Sequence, residues 1–149
     1  MEKHEIGRVL VEATVENFGD PWNARRGLLA NDAVRRVELT NALVDTGATT
    51  LSLPTSMIAL LGLEKVSEKR VRTSTGPATA KVYEAARLTI QGRQCTVDVV
   101  EVPDSVPPLI GPIPLEMLDF VVDPRGQRLI GNPEHGGEHV IEMYGEARR

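Results

Sequence analysis

Asp45-Thr46-Gly47-Ala48 stands between two short apolar runs, Ala42-Leu43-Val44 and Leu51-Ser52-Leu53, the second leading into Pro54. Aspartate is depleted in strands and rarely buried without partners. A carboxylate here therefore needs a tight polar turn or a chemical task. The neighbours suit both: Gly47 lets the backbone turn without a side chain blocking the carboxylate, and Thr46 offers a hydroxyl. Ala48 offers none, so any help in holding charge on Asp45 comes from backbone amides. Such a carboxylate can work as a general acid or base; without catalysis the same residues would make an Asx-type turn in a small β-structure.

Two other stretches carry chemically active types. His135-Gly136-Gly137-Glu138-His139 has the H-x-x-E-H order of inverted zinc peptidases, which needs both histidines on one helix face. Two consecutive glycines oppose that helix, so no metal site is expected. Cys95 lies on an alternating stretch and reads as a small buried hydrophobe. As the single cysteine it excludes an intramolecular disulfide and suits a reducing compartment, which makes the cytoplasm the expected location. There is no Gly-x-Ser-x-Gly elbow, phosphate-cradling glycine loop or cysteine pair, and no cofactor is expected.

The elements around Asp45 are short. Gly7 to Glu16 alternates Val9, Val11, Ala13 and Val15 with polar residues, the period-two pattern of a half-buried strand. Asn17 to Asp32 breaks it with turn signals at Gly19-Asp20-Pro21, Gly27 and Asn31-Asp32 and reads as a long connection in which Trp22 is a local packing anchor. Ala33 to Val44 reads as one or two strands interrupted at Thr40-Asn41. After the short run at Leu51, Pro54 opens a helix that Gly62 stops. Val66 to Ser74 and Ala78 to Ile90 form a hairpin turning at Thr75-Gly76-Pro77; Gln91-Gly92-Arg93 is a second turn, and Cys95 to Val102 alternates again. Pro103 to Pro108 is a rigid link to Leu109-Ile110-Gly111, followed by a helix from Pro114 to Leu118 and strands at Phe120 to Val122 and Arg128 to Ile130. From Gly131 the periodicity lapses until Val140-Ile141. No segment repeats.

The 149 residues suit one domain, with its core over about residues 7–131 and a tail over 132–149. Hydrophobic residues at 41% and charged residues at 26% are ordinary for a globular protein. With aromatics at 3% the core must be aliphatic. A formal charge of −4 gives no general reason to bind nucleic acid or anionic lipid, and Arg25-Arg26, Arg35-Arg36 and Arg148-Arg149 read as solvated surface pairs. No apolar run has the length of a membrane span. Met1 to Glu5 is charged with no apolar stretch after it, so no secretory signal is expected.

Asp45-Thr46-Gly47-Ala48, with Ala42-Leu43-Val44 before it and Thr49 after, resembles the active-site loop of retropepsin-like aspartic proteases. The order of strand, Asp-Thr-Gly loop, short strand, hairpin, further strands, apolar-apolar-glycine segment and short helix extends the resemblance over residues 7–131. It implies an all-β fold: a small closed barrel with a flap hairpin and one or two short helices. It also implies a flap at Thr75, Gly76 and Pro77, cleft support from Leu109, Ile110 and Gly111, and an aspartic endopeptidase acting on peptides without metal. Two carboxylates held close cannot both ionise cheaply, so they share a proton; one becomes a base for water and the other an acid toward the substrate carbonyl.

Only one Asp-Thr-Gly is present. Asp104-Ser105-Val106, Asp119-Phe120-Val121 and Asp123-Pro124-Arg125 have neither the threonine nor the glycine in register. The second carboxylate is thus expected from a two-fold copy in a homodimer; the resemblance implies that the Thr46 hydroxyls bond across its axis. Three departures from the resemblance stand out: the polar, proline-bearing hairpin tip, the residues 17–32 and the glycine-rich tail. A catalytically silent peptide-binding or dimerisation module would keep much of the same layout.

Overall fold

The computed structural model describes residues 8–144. Gly7, the Met1 to Glu5 stretch and the Arg148-Arg149 pair lie outside the described residues. The described residues form nine strands: β1 (Leu10–Asn17), β2 (Arg36–Val44), β3 (Leu51–Pro54), β4 (Glu64–Thr73), β5 (Gly76–Ile90), β6 (Arg93–Val102), β7 (Leu109–Ile110), β8 (Phe120–Asp123) and β9 (Arg128–Gly131). Between them lie three helices, α1 (Gly19–Arg25), α2 (Thr55–Leu61) and α3 (Pro112–Leu118). The expected mainly-β class holds, with three helices in place of one or two.

Strand β1 pairs with β2 on one side and β5 on the other, so the order β1-β2-β7-β3-β6-β5 returns to β1. A closed order of this kind leaves no open edge within it. β4 extends beyond the ring as the outer arm of the β4–β5 hairpin, while β8 and β9 make a separate two-stranded sheet. Alternation sends Val15, Leu39, Leu88 and Val99 inward. Leu51 and Leu53 of β3 meet Ile58 and Leu61 of α2, Leu115 and Leu118 of α3 and Ile110 of β7 in one aliphatic core.

The connection expected over residues 17–32 contains α1. Gly19-Asp20-Pro21, read as a turn, forms its first turn, where proline and an acidic residue are both tolerated. A tertiary contact fixes it: buried Asp20 accepts from the Arg35 backbone N–H at 2.9 Å and from the Arg35 guanidinium at 2.8 and 3.0 Å. This bidentate pair holds the Asp20 carboxyl below the usual range. Trp22 anchors less than expected. It is 47% exposed and lies under the Arg26 guanidinium, 4.2 Å from the ring centroid.

The break at Thr40-Asn41 is a bulge within one strand: Val11 opposes Ala42, yet Ala13 opposes Leu39. The β4–β5 turn comes one residue earlier than expected, at Ser74-Thr75, so Gly76 and Pro77 already belong to β5. The Thr73 hydroxyl sets it, donating to the Gly76 carbonyl at 2.7 Å and accepting from the Thr75 N–H at 3.2 Å. α3 starts two residues before Pro114 because Pro112 is tolerated in the first turn. Among the described residues the tail has one 3₁₀ turn, Pro133–His135, and no strand at Val140-Ile141. Among the described residues no helix is long and apolar enough to cross a membrane.

Replacing Leu51, which has no exposed surface, by alanine is expected to cost about 2–5 kcal/mol through lost burial and a residual cavity. Leu60→Ala, at a position 68% exposed on α2, should stay within about 0.5 kcal/mol of the parent. Urea midpoints at unchanged slope check both.

Candidate active site

Asp45 follows the last residue of β2, at a point where three strands meet. β7 lies between β2 and β3, parallel to the first through Leu43–Leu109 and Val44–Ile110 and antiparallel to the second through Leu51–Ile110. The Asp45 N–H donates to the Ile110 carbonyl at 2.9 Å, and the Leu43 N–H to the Pro108 carbonyl at 2.9 Å. The carboxylate root is thereby pinned to a fully buried residue, Ile110.

Beyond that root the chain folds back on the side chain. The Gly47 N–H donates to Asp45 Oδ1 at 2.8 Å, and the Ala48 N–H donates to the Asp45 carbonyl at 3.1 Å. A Cβ at Gly47 would lie 3.3 Å from that same Oδ1, so the glycine keeps the carboxylate face clear. Asp45 is partly exposed and Thr46 is exposed. Among the described residues Asp45 Oδ2 and the Thr46 hydroxyl have no hydrogen-bond partner.

Leu109, Ile110 and Gly111 support this loop from below. The Gly111 N–H donates to the Thr50 carbonyl at 2.9 Å and the Ile113 N–H to the Thr49 carbonyl at 3.1 Å. A Cβ at Gly111 would collide with the Ala48 carbonyl and come within 2.6 Å of the Thr49 carbonyl carbon. Glycine is required there for space, since the backbone itself is extended.

Beside the loop, a cleft of about 540 Å³ is bounded by Thr49 and Thr50, by Val71, Ala80 and Val82 of the β4–β5 hairpin, by Val100 of β6 and by Ile113 and Met117 of α3. The structure thus brings the stem of the hairpin to the Asp45 loop. The tip residues Thr75, Gly76 and Pro77 do not line the cleft. Ile113, Met117 and Val100 went unread in the sequence because nothing in their spacing separates a cleft wall from a core.

The acids of the three stretches weighed against Asp45, at residues 104, 119 and 123, are each committed elsewhere. Asp104 Oδ1 accepts the Ser56 N–H at 2.9 Å at the start of α2, and Asp123 takes the Arg125 N–H at 3.2 Å and the Arg128 side chain at 3.4 Å. Asp119 is 8% exposed and caps α3 with φ of 62°. It accepts from the Val140 N–H at 3.0 Å, from Asn132 Nδ2 at 3.3 Å and from His135 Nδ1 at 2.7 Å.

His135 in turn bonds Glu142 through Nε2 at 2.8 Å, while His139 donates to the Met117 carbonyl at 3.1 Å. The Pro133–His135 turn ends at Gly136 and Gly137, with φ of 69° and 81°, so the two histidines do not share a helix face. This His–Asp–Glu cluster borders a separate cavity of about 690 Å³ that also includes Cys95. Burial pushes the Cys95 thiol up to about 11, and both His135 nitrogens are engaged by carboxylates. No thiolate nucleophile is set up there.

Comparison with known proteins adds the following. The family described as aspartyl protease matches residues 31–131. The solution structure of the simian foamy virus (mac) protease aligns with a TM-score of 0.46 at 20% identity, over 73% of this chain and 93% of that one. No curated protein matches.

Gly111→Ala should displace the Asp45 loop; amide chemical shifts of residues 45–50 are expected to move well beyond those of residues near the substitution in α3. The tail cluster makes a second prediction. The Glu142 and Asp119 carboxylates raise the His135 pKa above its ordinary 6.5, so its contribution is complete below about pH 6.5 and is lost as pH rises through the raised value. The Val140 N–H, and then His135, lower Asp119 to about 2; its contribution is complete above the ordinary 3.8 and is lost as pH falls through about 2. Hydrogen-exchange protection factors over residues 132–142 should therefore plateau between about pH 4 and 6.5 and fall on either side. His135→Gln should remove the fall at high pH.

Proposed function

The chain belongs to the aspartyl protease family, and we propose that it is an aspartic endopeptidase whose site is completed by a second copy of itself. The observation that carries this reading is the state of Asp45. One oxygen is held by the Gly47 amide, and Oδ2 has no partner among the described residues. The other three candidate acids are occupied as caps or in ion pairs. A two-fold axis through the loop supplies the second carboxylate from the partner's own Asp45, and the Thr46 hydroxyl, without a partner among the described residues, bonds across that axis.

In the dimer the two carboxylates share one proton, because two like charges at contact distance are costly. The ionised one takes a proton from water as the water oxygen attacks the peptide carbonyl carbon, and the protonated one donates to the carbonyl oxygen. Collapse of the tetrahedral diol breaks the C–N bond, returns a proton to the leaving nitrogen and yields a carboxylic acid and an amine. No metal or cofactor takes part. The hairpin stem covers the peptide and excludes water from the cleft. The lone Cys95 fits a reducing compartment, and the cytoplasm is the proposed location.

Asp45→Asn is expected to abolish cleavage of a peptide library while sedimentation still reports a dimer. A variant as active as the parent would sink the assignment.

A further inference from the structure

The cleft wall has an uneven chemistry that names more of the substrate. Residues directly opposite in antiparallel strands share a face, and so do residues two apart along a strand. Lys69 faces Ala80, Val71 faces Ala78, and Val82 faces Val100; alternation along β6 adds Asp98 to the Val100 side. Lys69 and Asp98 accordingly stand on the same sheet face as Val71, Ala80, Val82 and Val100, and all of them border one cleft with Ile113 and Met117 of α3.

The apolar members make a groove for aliphatic side chains. Three charged residues border the cleft: Lys69, Asp98 and Arg70, the last paired with Thr79 and so on the other sheet face by alternation. Lys69 and Asp98 differ from other charges nearby. Lys65 is paired with Glu68, and Glu101 with Thr55 and Tyr83. Neither the Lys69 ammonium nor the Asp98 carboxylate has a hydrogen bond or ion pair among the described residues. They sit on different strands with the whole of β5 between them, so one residue of a bound peptide cannot answer both.

Resting on the proteolytic reading above, we propose that Lys69 and Asp98 set charge specificity: the substrate carries an acidic side chain on the Lys69 side of an aliphatic segment and a basic one on the Asp98 side. Each ion pair forms only on binding. Even at solvent-exposed strength it separates matched from mismatched peptides by about fivefold.

The test uses fluorescent octapeptides with a Val-Leu-Ile centre and Glu, Gln or Lys placed in turn at each flanking position. Cleavage is measured on the parent, Lys69→Glu, Lys69→Gln and Asp98→Lys, and binding anisotropy on the same changes made in Asp45→Asn. The parent should prefer Glu over Lys about fivefold at one flanking position and Lys over Glu at another. Lys69→Glu should invert the first preference alone, Lys69→Gln should erase it, and Asp98→Lys should invert the second. Unchanged preferences, or equal losses for all peptides, would overturn the inference. A protein that cleaves nothing yet binds with this charge order would refute proteolysis and support the inference; one that binds no peptide would refute the inference.

Discussion

The hydrogen bond from the Asp45 N–H to the Ile110 carbonyl is the constraint that organises the site. It exists only because a two-residue strand, β7, is inserted between β2 and β3. So short a strand has little stability of its own. It is held by partners on both edges and by Ile110, which has no exposed surface. The price of bringing the next turn of chain so close to the loop is that residue 111 has no room for a side chain. The carboxylate is therefore placed by the core itself, through backbone groups that substitutions at the surface do not reach.

One seven-residue helix carries this constraint outward. α3 begins against the Ala48 carbonyl, exposes Ile113 and Met117 to the cleft, and ends at Asp119, whose side chain gathers the tail. Its end is gripped a second time by Arg93, which donates to the Leu118 and Asp119 carbonyls at 2.9 and 3.0 Å and to the Gly137 carbonyl at 2.6 Å. The same guanidinium lies 4.5 Å from the centroid of the Phe120 ring. Close-packed interiors transmit displacement rather than absorb it. The tail and the Asp45 loop thus contact opposite ends of the same helix.

Polar groups in this protein divide sharply by role. No buried side-chain nitrogen or oxygen among the described residues lacks a partner, as the cost of burying an unsatisfied group requires. Asp20, Asp104, Asp119 and Asp123 are all spent on local architecture. Asp45 Oδ2, Thr46, Lys69 and Asp98 keep open valences, and they stand on or beside the cleft.

Much of this was legible in the residues themselves. Period-two alternation located β1 and β6, because a half-buried strand must alternate; turn chemistry marked the β4–β5 hairpin, and Pro54 and Gly62 marked α2, because only some residues tolerate its ends. The Asp45 loop stood out because a carboxylate between apolar runs has few structural excuses. The misses share one cause. Gly19-Asp20-Pro21 is equally good as a turn or as a first helical turn, and the Asp20–Arg35 pair, fifteen residues apart in the chain, chose between them. The β4–β5 turn moved to Ser74-Thr75 through a threonine hydroxyl whose rotamer no pattern encodes. Asp119 and His135 looked like a stray acid and half of a zinc motif until folding placed them 2.7 Å apart. The sequence by itself determined which residue types could carry the chemistry and which segments had to be strands, since both follow from local composition and period. Only the tertiary structure decided which acids remained uncommitted and which residues walled the cleft, because hydrogen-bond partners and shared faces are set by contacts between segments far apart in the chain.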